Sequence, residues 1–467
     1  MQIPILNGIY TDSLSDFRTS YPRNMVPVPK QQGISEGYLR PADGIIEQGV
    51  GSGPDRGAIS WNGVCYRVLG STLISIDANG VAHEIGSVGP GGQVSMDYSF
   101  DKLAISSGGR LYYLTSGGGL QSVTDTDLGA ALDVVWIAGY FMTTDGTSLV
   151  VTELNDPTSV NPLKYGSSEA DPDSIKGILK LRNEVYAVNR HTIEVFQNVG
   201  GANFPFQRID GAQIQRGALG KDCMAVVLDS IAFLGGGRNE APGIWLGSNG
   251  ASAQISTREI NQILRKYTEQ ELSNVLFETR VYDSHQLLYV HLPDMTWVYD
   301  AAASQTVSDP VWFCLTTGSE DIGVYRGRNF IWCYGKWLCG DPVSGKYGYV
   351  VNDISSHYGI LNTWEFGTNI VYNDGRGAIF HELELVCLTG RVTQGSEPLI
   401  GTSYTLDGQT WSQEHYRKAG GQGERLKRLT WLRQGAMRHW RCQKFKGTSD
   451  AHISVARLEA RIEALNV

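Results

Sequence analysis

The sequence predicts an all-β protein with a β-propeller-like body of six or seven blades, a short helical insertion and a C-terminal β-sandwich. Three observations lead to this prediction. Glycine accounts for 56 of the 467 residues and charged residues for only 19%, a composition typical of strands joined by tight turns. An apolar strand, a Gly/Asn/Asp turn and a second strand recur along most of the chain. The length also exceeds what one compact core usually holds, so two or three domains are expected.

The recurring unit is clearest where Leu288, Val290 and Leu292 alternate with Tyr289 and His291, as expected for a β-strand. Units of this kind begin near residues 58, 103, 134, 177, 224, 281 and 324. Their irregular intervals centre near the ~40–50 residues of propeller blades. Short antiparallel sheets with no helices between them favour a propeller. A large array of β-sandwiches is the competing arrangement.

The pattern divides the chain into three segments. Residues 1–45 are predicted to form an extended N-terminal arm, because prolines at positions 4, 22, 27, 29 and 41 disfavour helix and interior strand. Residues 46–355 form the propeller-like domain. Alternation stops near residue 355 and resumes at 381–388, which predicts a β-sandwich over 356–467. The tail at 453–465 fits either a helix or a closing strand.

The helical insertion is predicted over residues 257–276. Ser256 with Glu259, and Thr268 with Glu271, each have the spacing of a capping box, in which a hydroxyl and a carboxylate satisfy the first amides of a helix.

No motif predicts catalysis, a metal or a cofactor. The Gly-rich stretch at 51–57 lacks the Gly-Lys-Ser/Thr of a phosphate-binding loop, and tight turns explain it. The seven cysteines include no CxxC pair, so thiols buried in strands are the better interpretation. Asp283, Ser284 and His285 contain the residue types of a hydrolase triad, but neighbours in a strand point to opposite faces. We therefore expect no catalytic residue, no metal site, no cofactor and no enzyme activity.

The segment TLDGQTW at 405–411 is one residue shorter than the Asp-box turn of sialidase-type propellers. Such a turn is useful structurally because the Asp side chain accepts backbone hydrogen bonds. It nevertheless motivates an alternative function, a glycan-binding or glycan-cleaving β-propeller protein.

The charge is strongly segregated near the C-terminus. Residues 417–446 contain ten Lys/Arg and one acid, whereas the remainder has 29 bases and 47 acids, a net charge of −18. A nucleic-acid face, a docking surface for an acidic protein and a solvated strand face are all compatible with this stretch. Because it lacks the organisation of known nucleic-acid-binding motifs, we favour a protein partner over DNA.

Localisation follows from what the sequence lacks. The N-terminus has no basic and apolar leader, and no run approaches the ~20 apolar residues of a membrane span. The odd cysteine count predicts folding in a reducing cytoplasm. A net charge of −9 argues against a chain-wide DNA-binding surface.

Several segments carry a family resemblance. The chain resembles the tail accessory factor of Salmonella-type short-tailed phages in several segments that occur in the same order in both. These are, in chain order, YPRNMVP at 21–27, GYLRPADGI at 37–45, RKYTEQELSN at 265–274, ETRVYDSHQLLYVHLPDMTWVYDAAASQ at 278–305 and CGDPVSGKYGYVVNDISSHYG at 339–359. CYRVLGSTL at 65–73 and HTIEVF at 191–196 also have counterparts. That family is also called the packaged DNA stabilization protein or tail hub. The resemblance spans nearly the whole chain and is weakest over the last hundred residues.

The resemblance implies a structural protein of the virion tail, synthesised in the bacterial host cytoplasm. A homo-hexameric ring would dock below the portal-bound adaptor, extend the DNA channel and help to retain packaged DNA, which passes without specific binding. The tail needle and the tailspikes would attach to it. Our candidate partner-interface residues lie in the arm and in the basic stretch: Tyr21, Asn24, Tyr38, Arg40, Arg425, Lys427, Arg428, Arg433, Arg438, Arg441 and Lys444.

Overall fold

The computed structural model describes residues 1–6, 8–11, 17–30, 35–154, 156–169, 171–201 and 203–465. Parts of the predicted arm, at 7, 12–16 and 31–34, and the last two residues of the predicted sandwich therefore lie outside the described residues. Within the described residues, six strands precede the first complete blade: β1 Gln2–Ile3, β2 Gly8–Thr11, β3 Phe17–Ser20, β4 Met25–Pro29, β5 Gly37–Pro41 and β6 Gly44–Val50.

Seven antiparallel sheets follow in the described part of the chain. Blades 1 and 2 are β7 Asp55–Trp61, β8 Val64–Leu69, β9 Thr72–Ile76, β10 Ala82–Ser87, β11 Ser95–Tyr98, β12 Lys102–Ser107, β13 Arg110–Thr115 and β14 Leu120–Ser122. Blades 3 and 4 are β15 Asp133–Ile137, β16 Tyr140–Thr144, β17 Ser148–Thr152, β18 Val160–Ser167, β19 Ile175–Leu181, β20 Glu184–Asn189, β21 Ile193–Asn198 and β22 Phe206–Arg208. A 3₁₀ turn at Thr126–Leu128 lies between blades 2 and 3.

Blade 5 is β23 Gly217–Ala218, β24 Met224–Val227, β25 Ser230–Gly236, β26 Gly243–Ser248 and β27 Ala251–Gln254. Blade 6 is β28 Leu276–Tyr282, β29 His285–His291, β30 Thr296–Asp300 and β31 Val311–Leu315. Blade 7 combines β32 Arg328–Cys333, β33 Lys336–Gly340 and β34 Lys346–Val351 with the N-terminal strand β6.

The seven sheets close into a ring. One strand of each blade contacts its counterpart in the next: β7, β11, β15, β19, β24, β28, β32 and again β7. These strands therefore surround the propeller axis. Separate hydrophobic clusters fill the spaces between neighbouring blades, so both faces of each sheet are covered. This explains why Tyr289 and His291 are as buried as the leucines with which they alternate.

The N-terminal segment, predicted as an extended arm, forms strands that pair with both domains. β4 pairs with β5, and this hairpin extends a sheet of the sandwich whose further strands are, in order from β5, Ser454–Ala464, Ala378–Leu388 and Leu429–Leu432. Pro27 and Pro29 are tolerated because β4 is the edge strand of that sheet, where a missing amide costs little. β6 then closes blade 7 against β34. The described strands among the first fifty residues thus pair with both domains.

The C-terminal domain has two sheets and a shared aromatic core. Its strands are β35 Thr363–Gly367, β36 Val371–Tyr372, β37 Ala378–Leu388, β38 Leu399–Thr405, β39 His415–Lys418, β40 Leu429–Leu432, β41 Ala436–Met437, β42 Trp440–Thr448 and β43 Ser454–Ala464. The second sheet has the order β35-β42-β38-β39. Trp364, Phe366, Trp431 and Phe445 are almost completely buried between the sheets. The ambiguous tail is a strand, β43.

The helical insertion is present as α1 Arg258–Leu264 and α2 Glu269–Leu272. The predicted capping box of Thr268 and Glu271 is confirmed. The predicted box of Ser256 and Glu259 is wrong, because Thr257 is the N-cap and Ser256 instead accepts a hydrogen bond from the Ile244 amide at 3.0 Å. A third helix, α3 Ala301–Val307, was not predicted and begins at Asp300, whose side chain accepts from the Ala303 amide.

Candidate interaction sites

Asn24 ties the two domains together. Its side-chain amide donates to Thr316 Oγ1 at 3.2 Å and to the Thr363 carbonyl at 2.8 Å, and its carbonyl oxygen accepts from the Thr316 amide at 2.9 Å. Thr316 follows the last strand of blade 6 and Thr363 begins the sandwich. Because Asn24 is buried, we leave it out of the proposed partner surface.

Arg23, which was not among the sequence candidates, completes this junction. Its amide donates to the Glu365 carbonyl at 2.8 Å, and its guanidinium donates to the Glu320 carbonyl at 2.8 Å and pairs with Asp321 at 3.0 Å. The chain at Arg23 therefore forms a backbone bridge from blade 6 to the sandwich. Nothing in the local sequence distinguishes this arginine from a surface residue.

Tyr21 also makes contacts inside the chain. Its ring packs edge-to-face on Trp297 with 5.5 Å between centroids, and its hydroxyl lies 2.7 Å from Thr257 Oγ1. The arm is thereby attached to the start of α1.

Arg40 belongs to a buried charge cluster at the junction. It pairs with Asp43 at 2.8 Å, and Arg280 of blade 6 donates to the other Asp43 oxygen at 2.7 Å. Burial raises the pKa of Asp43, but the charges and hydrogen bonds of Arg280 and Arg40 outweigh burial, so the pKa is lowered. Tyr38 is half-buried, with the Lys30 ammonium 5.1 Å from its ring centroid.

The basic stretch is not one continuous basic face. Arg441 is 1% exposed, donates to the Gln434 carbonyl at 2.6 Å and lies over the Tyr404 ring at 3.7 Å. Burial lowers the pKa of Arg441 to about 10. The expectation that Arg441 faces a partner does not fit this position, because its guanidinium is enclosed by the sandwich.

Most other bases of the stretch have acidic neighbours. Arg428 makes two hydrogen bonds to Glu384, at 2.8 and 2.5 Å. Lys444 pairs with Glu365 at 3.4 Å and lies over the Trp411 ring, and Lys427 pairs with Glu424 at 3.4 Å. Of the candidate residues in the described chain, those exposed without such a partner are Arg425, Arg433 and Arg438.

Carboxylates join adjacent blades around the propeller axis. Asp97 accepts from the Trp136 amide at 2.6 Å, Asp133 from the Ile178 amide at 2.9 Å and Glu278 from the Phe330 amide at 2.9 Å. In each case the acid and the amide lie on axis-facing strands of consecutive blades. Burial raises the pKa of Asp133, since the charged form loses hydration.

The propeller axis is narrow. A cavity of about 300 Å³ lies there, lined by the axis-facing strands of blades 2 to 6, the volume of roughly ten water molecules. Lys180 pairs with Asp97 across it at 2.5 Å. A DNA duplex does not fit into this cavity, so the axis of one propeller is not a DNA channel.

The described residues carry no group of three His, Cys, Asp or Glu side chains arranged to hold a metal ion. Nor does any helix among them have the length and apolarity to cross a membrane. Asp283 and Ser284 form the turn between β28 and β29 with positive φ angles, rather than the predicted strand. His285 instead pairs with Asp300 at 2.5 Å.

The Asp-box-like turn is a structural feature of the sandwich. Asp407 Oδ1 accepts from the Gln409 and Thr410 amides at 2.9 and 2.7 Å. These hydrogen bonds hold the pKa of Asp407 below its ordinary value. The turn joins β38 to β39 outside the propeller, so it does not mark a propeller active site.

Fold and sites together define a two-domain protein in which a seven-bladed propeller is tied to a β-sandwich. A family model described as Bacteriophage P22 Gp10, beta-propeller, matches residues 1–355, and one described as Bacteriophage P22 Gp10, beta-sandwich, matches residues 363–463. The tail hub protein gp10 of Salmonella phage P22 is 30% identical over 484 aligned residues, covering 99% of each chain. The chain therefore belongs to the phage P22 Gp10 family, and it is a structural component of the virion tail rather than an enzyme.

Among solved structures, the Pan2 WD40 domain of Neurospora crassa is 10% identical with a TM-score of 0.41, covering 64% of this chain and 89% of that one. PorZ of Porphyromonas gingivalis is 11% identical with a TM-score of 0.41, and the match covers 79% of this chain and 46% of that one. The predicted family and the predicted fold class, a propeller with a C-terminal sandwich, are confirmed by the family models.

Proposed function

We propose that this chain is a subunit of a phage tail hub. Six copies form a ring below the portal-bound adaptor, extend the DNA channel and retain packaged DNA, and they anchor the tail needle and the tailspikes. The observation that carries this proposal is the match to the tail hub protein of phage P22 over 99% of both chains. The match includes both the propeller and the sandwich, so we propose that the surfaces of both domains take part in the tail-hub function.

The geometry is compatible with a rigid spacer between other proteins. The interdomain ties at Arg23 and Asn24 fix the sandwich relative to blade 6, so force on one domain reaches the other. Since the propeller axis is too narrow for a duplex, the DNA channel must lie between copies. A net charge of −9 favours passage of DNA over tight binding, because like charges repel along the channel.

The proposed contact surface consists of the exposed bases of the sandwich and the outer side of the arm. Arg425, Arg433 and Arg438 are free to pair with acidic groups of a partner. Lys427, Arg428 and Lys444 can contribute by exchanging their present partners. Such contacts steer docking and weaken at high salt.

Reconstitution tests the proposal. Purified chain is added to DNA-filled heads that carry portal and adaptor but lack this protein, and electron microscopy and nuclease sensitivity are recorded together. We expect new density at the portal vertex and DNA that stays protected. A folded chain that adds no density and leaves DNA unprotected would contradict the tail-hub function.

Charge reversal locates the contact surface in the same assay. Arg425→Glu, Lys427→Glu and Arg428→Glu together should reduce docking, while far-UV circular dichroism stays unchanged. The matched control reverses three exposed bases of the propeller, Arg110, Arg265 and Lys266, and should dock normally. Equal docking by both variants would remove the basic stretch from the interface.

A further inference from the structure

Two neighbouring cavities form one groove along the junction of propeller and sandwich. The smaller, of about 440 Å³, lies beside the β32–β33 hairpin of blade 7. The larger, of about 900 Å³, lies between the β28–β29 turn and the sandwich loops at 390–394 and 422–425. Both are lined by Asp283, Asn352 and Asp353, so the two cavities adjoin at these residues.

The blade 7 end of the groove is aromatic. Trp332 is 55% exposed, and its ring centroid lies 5.5 Å from that of Trp337 in an edge-to-face arrangement. The Arg280 guanidinium covers the Tyr282 ring nearby at 4.2 Å. Tryptophan, tyrosine and arginine are the side chains that most often anchor protein partners, and a half-exposed Trp332 offers such an anchor.

Four exposed charged side chains of the groove are unpaired, unlike the buried charge cluster around Asp43 that also lines it. Asp283 and Asp353 are exposed next to the aromatic end, and Arg391 and Arg425 line the opposite end on the sandwich. None of the four has an ion-pair partner in the described chain. A ligand with a cationic group beside the two aspartates and an acidic group near the two arginines would satisfy all four, and the cation would also gain from the Trp332 face. Lys336 lines the same end but is directed onto the Tyr349 ring, with 4.5 Å between its ammonium and the ring centroid.

We infer that this groove binds an extended segment of another virion tail protein, with a Lys or Arg at the Trp332 end and an Asp or Glu at the Arg391 end. The inference rests on the proposed tail-hub function and names one of its docking sites. Charge complementarity favours a polypeptide over a polysaccharide, because a neutral sugar chain would leave the two arginines and two aspartates without opposite charges.

Site-specific photocrosslinking in assembled virions tests this site. Benzoylphenylalanine replaces Trp332, and the control carries the same residue at Phe100, which is 95% exposed on blade 2. After irradiation, mass spectrometry identifies the crosslinked segment, and the yield is divided by the number of copies incorporated. We expect position 332, and not position 100, to crosslink to a segment of a different tail protein carrying both charges. Arg391→Glu should lower that yield at least about fivefold, since like charges repel across an interface.

The outcomes separate this inference from the proposed function. Virions that incorporate the labelled chain but give no crosslink, or only a crosslink to another copy of this chain, would overturn the groove and leave the tail-hub function standing. The inference of a polypeptide ligand would also be overturned if the groove gave no protein crosslink but bound host polysaccharide, and if Trp332→Ala abolished that binding. If the wild-type chain were absent from the virion tail, both the groove inference and the proposed tail-hub function would be rejected. Benzoylphenylalanine at the exposed Asn352 gives a second position should the Trp332 variant fail to assemble.

Discussion

At the scale of single residues, burial separates structural charges from surface charges that the sequence presents as one basic stretch. Arg441→Ala removes a guanidinium that is hydrogen-bonded to Gln434 and Gln443 and packed on two rings. We expect a loss of about 3 kcal/mol in the free energy of unfolding of the sandwich, because buried acceptors are left unpaired and a cavity forms. Arg438→Ala, at an exposed position, is the control and should change it by less than about 0.5 kcal/mol. Urea unfolding measures both, and equal effects would contradict the burial of Arg441.

Asp43 gives a prediction about pH. Its pKa is lowered by Arg280 and Arg40 despite burial, so its carboxylate stabilises the fold above its ordinary pKa of 3.8, and this contribution disappears as the pH falls toward the lower folded value. Asp43→Asn should cost about 3 kcal/mol at pH 7 because Arg280 is left buried without a counter-charge.

Urea unfolding of wild type and Asp43→Asn between pH 7 and pH 2 measures this contribution. The stability difference should stay constant down to about pH 4 and shrink below it. Asp127→Asn, at an exposed carboxylate, should follow the wild-type curve. A difference that is independent of pH down to pH 2 would show that Asp43 acts by packing alone.

At the scale of elements, ring closure depends on the contact between β6 and β34. A Cβ at Gly348 would lie 1.9 Å from the Ile46 carbonyl oxygen on β6, next to a register shift in the pairing of β34 with β6. Gly348→Ala should therefore push β6 away and cost about 3 kcal/mol or more.

Limited proteolysis and thermal unfolding test ring closure. Gly348→Ala should expose a cleavage site near residues 44–50 and lower Tm. Gly119→Ala is the matched control, since a Cβ at that position meets no atom within 4 Å, and it should leave Tm within a few degrees of wild type. An unchanged Tm for Gly348→Ala would contradict the closure of blade 7 by β6.

At the scale of the whole molecule, we expect the arm to make propeller and sandwich unfold as one unit. Asn24→Gly keeps the positive φ of 52°, which glycine adopts freely, but removes two hydrogen bonds to Thr316 of the propeller and one to Thr363 of the sandwich. We expect the single calorimetric transition of the wild type to separate into two, with a loss of about 2 kcal/mol in interdomain coupling.

Asn249→Gly controls for the backbone effect, because Asn249 has a φ of 49° in an exposed turn. It should retain one transition. If wild type already shows two independent transitions, the ties at Arg23 and Asn24 do not couple the domains, and the hub would not act as a rigid spacer.

The sequence by itself determined the local architecture. Alternating apolar residues and Gly-rich turns predicted the repeated hairpins, and the Thr268–Glu271 pair predicted a helix start that the structure has. These features depend on residues close in sequence, where side-chain period and turn chemistry dominate. The unpredicted helix α3 follows strand β30 directly, and its only local signal is Asp300 before three alanines.

Only the tertiary structure decided which side chains are available to partners. Asn24 and Arg441 have the polarity of surface residues, yet both are buried by parts of the chain that are distant in sequence. Thr316 and Thr363 supply hydrogen bonds to Asn24, and the rings of Phe380 and Tyr404 enclose Arg441. The count of seven blades likewise depends on β6 crossing from the N-terminus to β34, a pairing about 300 residues apart. The residue pattern of a strand does not identify a pairing partner that is distant in sequence. Such a pairing is stabilised by burial and hydrogen bonding that exist only after the ring has closed.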